Sequence, residues 1–142
     1  MVGDRDRNAQ GNAQQARPRD ALGRPLPYGA TGVEPISEEP LSPEATLDYA
    51  RSLLDEGRPF AAHEALEVRW KSCPEEEREL WQGLAQLCVG LTHQARGNAV
   101  GASRLIERAA VRLEAYDQTS SSTYGLDLAA LIACARARVQ DA

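Results

Sequence analysis

Lysine is almost absent: Lys71 stands alone against fifteen arginines in 142 residues. That imbalance fits a GC-rich bacterial genome better than a phosphate-binding device. Aromatic residues make up only 5% of the chain, with a single Phe. A core must therefore be assembled from Ala, Leu and Val, and small residues suit closely packed helices. No apolar run approaches the ~18 residues of a membrane-spanning helix. The N-terminal "MVGDRDRNAQ" lacks the apolar stretch of a secretory leader. Cys73, Cys88 and Cys134 are odd in number and widely spaced, which excludes a CxxC pair and a disulfide framework. A reduced, cytoplasmic setting is expected. A net charge of −5 argues against general nucleic-acid binding. No segment alternates β-branched and polar residues as a strand would.

What is present is helical. Residues 1–41 form a polar arm with scattered Gly and Pro, and its first sixteen residues read as disordered. From Arg17, "RPRDALGRPLPYG" places Leu22, Leu26 and Tyr28 between prolines. It reads either as an extended segment packed on the domain or as a solvated linker. Residues 42–142 read as one domain, an all-α bundle of about five helices. Ser42 is the expected cap of the first helix, with the stripe Leu47, Ala50, Leu54. The second runs from about Pro59 to Lys71. The third is capped at Ser72, ends at Arg96 and carries Leu80, Leu84, Leu87 and Leu91 inward. Asn98 caps the fourth, and the fifth spans about Asp127–Val139 with Leu128, Leu131, Ile132 and Ala135 inward.

"FAAHEALEVRW" (60–70) holds the residues that need explaining. His63 and Glu67 are four apart, and Glu64 and Glu67 three apart, so they share a helix face with Trp70 one turn on. Gln82, Gln86 and His93 recur at spacings of four and seven beside the Leu stripe. Folding helices two and three as a hairpin sets Glu67 opposite Gln82 and His63 opposite Gln86. This predicts a polar layer that holds the register of the two helices. A second reading is a divalent-metal site of His63 and Glu67 with His93, joined by Glu64. A third is acid/base chemistry with His63 oriented by Glu67. Trp70 and Trp81 read as core or bundle-end residues, and Cys88 as a small core residue.

These residues match a family pattern. Phe60, Ala62, His63, Glu64, Glu67 and Trp70 are followed by Gln82, Gly83, Leu84 and Gln86, then His93, Gly97, Asn98, Gly101 and Ala102. Over about residues 45–115 the chain resembles the bacterial family called domain of unknown function 309. The resemblance implies a small all-α fold and brings no reaction with it. Gly90, Gly97, Ala102, Ile106 and Ala109 also have the spacing of one tetratricopeptide helix pair, or of any close helix hairpin. The leading expectation is a non-catalytic interaction module that binds a protein or peptide partner near the polar layer, without cofactor. The alternative is a metal-dependent hydrolase using HExxE. No nucleic-acid or membrane partner is expected, and a monomer or a homodimer fits equally.

Overall fold

The computed structural model describes residues 6–7, 13–14, 19–26, 32 and 34–140. The expected disorder of the first sixteen residues falls largely outside them. There, Asp6–Arg7 pairs antiparallel with Ala13–Gln14 in a two-residue ladder. Among the described residues five helices build the fold: α1 (Pro43–Asp55), α2 (Pro59–Ser72), α3 (Arg78–Ala95), α4 (Ala99–Asp117) and α5 (Leu128–Gln140). A 3-10 turn, Glu75–Glu77, leads into α3. Among the described residues no helix is long and apolar enough to cross a membrane.

Local chemistry sets the helix ends. Ser42 Oγ accepts the Ala45 N–H at 3.1 Å, and Pro43 takes the first helical position, where no amide is needed. Asn98 Oδ1 accepts the Gly101 N–H at 2.9 Å at the start of α4. Ser72 caps nothing. It is the last residue of α2, and its hydroxyl turns back to the Val68 and Arg69 carbonyls. Pro74 cannot continue α2, so the chain makes the 3-10 turn before α3 begins.

α3 is the central helix, packed by α2, α4 and α5, while α1 covers α2. Its fit to α4 depends on two missing side chains. A Cβ on Gly83 would lie 2.6 Å from Leu113 Cδ2, and one on Gly90 would lie 2.7 Å from Ile106 Cγ1. Moving up α3 meets residues moving down α4, so the pair is antiparallel. Leu80, Trp81, Ala109 and Leu113 are fully enclosed around this seam. The stripe of α1 is rotated from the expected one, and that of α5 holds except at Leu131. In α1 the buried residues are Thr46, Ala50 and Leu53, with Leu47 and Leu54 half-buried. In α5 Leu131 faces solvent, while Leu128, Ile132 and Ala135 pack inward. Both helices have apolar residues on adjacent lines, and the neighbouring helix decides which line is covered.

Gly83→Ala gains about 1 kcal/mol of helix propensity. It also drives a methyl into Leu113, and overpacking of this kind costs about 1–3 kcal/mol. A net loss is expected, larger for Gly83→Val, read as a lower urea midpoint with an unchanged slope.

Candidate functional site

Pro59 starts α2 so that Phe60, His63, Glu64 and Glu67 fall on its outer side, while Ala61, Ala62, Ala65 and Leu66 face the core. His63 Nε2 lies 3.0 Å from Glu67 Oε2, the i, i+4 contact expected from the spacing. The other ring nitrogen, Nδ1, is buried without a hydrogen-bond partner of good geometry. Burial pushes the His63 pKa below its usual value, against the opposing pull of the Glu67 carboxylate and the Phe60 carbonyl. Neutral imidazole is thus the favoured form. Glu64 is half-buried beside it. Burial raises its carboxyl pKa, partly offset by the Arg19 guanidinium.

The amides of α3 do not join this pair. Gln86 Oε1 accepts from Arg112 Nε of α4 at 3.1 Å, and Arg112 Nη1 also binds both oxygens of Glu79 at 2.8 and 2.9 Å. The Asn98 amide contacts His93 Nδ1 at 3.2 Å. Glu79, Gln86 and His93 are seven apart, one line of α3, and that line turns toward α4. Gln82 is half-buried and bonds neither His63 nor Glu67. The expected layer between α2 and α3 is therefore corrected: His63 pairs within its own helix, and Gln86 pairs across the other interface. Gly83 and Gly90, flanking Gln86, were the available signal, because the helix that packs on the glycines also meets the amide between them. The set His63, Glu67, His93 is not brought together either. Among the described residues no three His, Cys, Asp or Glu side chains are gathered to hold a metal ion.

Instead, the start of α2 meets the arm. Residues 19–26 fold as a tight turn. The Gly23 N–H reaches the Asp20 carbonyl at 3.0 Å, and Asp20 Oδ1 accepts the Leu22 and Arg24 amides at 3.0 and 2.9 Å. Asp at the first turn position and Gly at the fourth is ordinary turn chemistry. Gly23, with φ +80°, is buried against Phe60. A Cβ there would stand 2.2 Å from Phe60 Cγ. Arg19 and Arg96 place guanidinium carbons 5.8 and 5.9 Å from the Phe60 ring centre. Arg96, just past α3, also donates from Nε and Nη2 to the Leu22 carbonyl at 3.1 and 2.6 Å. His63 packs on the same ring, centroids 5.4 Å apart. A cleft of about 20 Å³, room for one water, remains between Arg19, Arg58, Phe60 and Glu64. Residues 19–26 thus pack on the domain, but as a tight turn seated through Gly23 and the Leu22 carbonyl rather than as the extended segment expected, and Tyr28 lies outside the described residues. Sequence reasoning overlooked Arg19, Arg58 and Arg96, although "RDALG" carried a turn signal.

A second polar cluster closes the opposite end of α2. Glu77 is buried, with Trp81 Nε1 donating to Oε1 at 3.1 Å and the Tyr124 hydroxyl to Oε2 at 2.7 Å. Arg69 stands 3.7 Å from Oε1 and lies over the Trp81 ring. Arg78 covers Trp70 at 4.8 Å. Tyr124 has φ +54°, a strained conformation for a bulky residue, and its bond to Glu77 helps hold it there. Burial and the Glu77 carboxylate push its phenol pKa up to about 12. Burial raises the Cys73 thiol pKa, and that of Cys88 to about 12, so both are held as thiols.

Tyr124→Phe removes a hydrogen bond to a charged group. It should cost about 1.5–3 kcal/mol in urea unfolding. For His63 the folded pKa lies below the unfolded value of 6.5, so the unfolded chain binds more protons between the two. Its contribution is full above 6.5 and is lost as pH falls through the lowered folded value. Compared with His63→Gln, the wild type should therefore lose more stability between pH 7 and 5.

Residues 47–105, from the first turns of α1 into α4, match the family described as a domain of unknown function, DUF309. The uncharacterized protein YpuF of Bacillus subtilis (strain 168) is 35% identical over 86 residues, 60% of this chain and 49% of that protein. The chain is a distant homologue of it and spans about half its length. No solved structure matches. The segment that presents Phe60, His63, Glu67, Gln86 and His93, residues 47–105 of this chain, is a DUF309 domain.

Proposed function

We propose that the chain is a non-catalytic interaction module that holds a polypeptide turn on the surface formed by Phe60, His63 and Arg96. One observation supports this above the rest: residues 19–26 lie on that surface as a ligand would. They present a backbone carbonyl to the Arg96 fork and a glycine to the Phe60 ring. The anchors are an aromatic ring and arginines, residue types that dominate binding energy at protein interfaces. The DUF309 domain supplies Phe60, His63 and Arg96, and the turn comes from outside it. A ring, a guanidinium fork and a half-buried carboxylate suit recognition without bond breaking.

The test uses the full chain with Gly23→Val, which cannot hold φ +80° and clashes with Phe60. A fluorescent peptide of residues 19–26, capped at both ends, should bind this variant saturably. It should not bind the wild type at the same concentration, because the tethered arm competes at an effective concentration of the order of millimolar. Adding Phe60→Ala should abolish binding while helical circular dichroism is retained. Equal binding to wild type and Gly23→Val would mean that the arm does not occupy the surface. No binding to Gly23→Val, with residues 19–26 exchanging freely in deuterium, would end the reading.

A further inference from the structure

We infer that the Phe60 surface selects one kind of partner: a polypeptide that presents an Arg-Asp-x-x-Gly turn, whose place residues 19–23 hold in cis. The inference rests on the interaction reading above and says what the surface recognises.

Each element of the turn has a physical task on this chain. The glycine is needed twice over. Its φ of +80° is open to few other residues, and the position of an L-Cβ is filled by Phe60 carbons at 2.2, 2.5 and 2.7 Å. The contact is with the ring's own atoms, so a side chain at this point must lift the whole turn. The aspartate holds the loop closed by accepting two amides, which presents the Leu22 carbonyl outward to the Arg96 fork. The arginine serves both partners. Arg19 Nη1 closes the turn on the Gly23 carbonyl at 2.7 Å, while its guanidinium lies over Phe60 and attracts the Glu64 carboxylate. The two intervening residues, Ala21 and Leu22, are half-buried, and the polar contact in this pair is through the Leu22 main chain. Selection therefore falls on the Arg, the Asp and the Gly, with little on the residues between.

The surface also suits exchange of one turn for another. Its polar bonds to the turn run from Arg96, an exposed side chain, and the rest is ring contact and screened charge. Arg58 Nε and Arg19 Nε are buried beside the cleft without hydrogen-bond partners. A partner that extends an acceptor into the cleft would satisfy Arg58 as the cis segment does not.

Stereochemistry gives the decisive experiment. Capped peptides of residues 19–26 compete against the fluorescent parent for the full-length Gly23→Val chain. The series holds the parent, Gly23→L-Ala, Gly23→D-Ala and Arg19→Ala. D-Ala favours positive φ and carries its methyl on the side away from the L-Cβ position, so it should compete at least as well as the parent. L-Ala should compete at least tenfold more weakly, and Arg19→Ala several-fold more weakly. Equal competition by L-Ala and D-Ala would overturn glycine selection and leave the interaction reading standing. Failure of the parent to bind at all would remove both.

Discussion

Where α3 meets α4, Gly83 and Gly90 leave the surface of α3 bare, and Leu113 and Ile106 occupy the space. That close seam orders the rest of the bundle. It draws Arg112 onto Glu79 and Gln86, and the Asn98 cap onto His93, so the polar line of α3 is satisfied by α4. α2 then packs on a different side of α3 through its alanines, and His63 and Glu67 stay on the outer side of α2. A histidine and a carboxylate that would be costly to bury alone are thus half-exposed and mutually paired.

The two ends of α2 solve the same problem in opposite ways. At its C-terminal end a buried carboxylate is tied to Trp81, Tyr124 and Arg69. Such a network is costly to desolvate and strongly destabilising to break, so it locks the α4–α5 loop onto the start of α3. At its N-terminal end a single aromatic ring is covered by a turn that contributes a glycine face, a guanidinium and one carbonyl. These contacts are shallow and separately weak, which is what a replaceable ligand requires. A rigid end and an exchangeable end on one helix make α2 a platform.

His63 belongs to the exchangeable end. Its ring touches Phe60, and its charge would join those of Arg19 and Arg96 around the same aromatic face. Burial keeps it neutral, and Glu67 keeps it oriented. Its part in the interaction reading is to pack against the Phe60 ring and support it.

The helices, their caps at Ser42 and Asn98, and the pairing of His63 with Glu67 were legible in the sequence. They depend on contacts within four residues, which spacing alone determines. The leucine stripe of α3 was legible too, because one helix face must be apolar whatever covers it. The partner of Gln86, the convergence on Glu77 and the seating of Gly23 on Phe60 were not. Gln86 lies where α2 or α4 could equally have met it, and the glycines beside it gave the place to α4. Tyr124 reaches Glu77 across 47 residues, and Arg96 reaches Leu22 across 74. No local periodicity encodes such distances. The sequence by itself determined which segments are helical and where they stop. Tertiary packing decided which polar residues meet, because that depends on which neighbour fits closest.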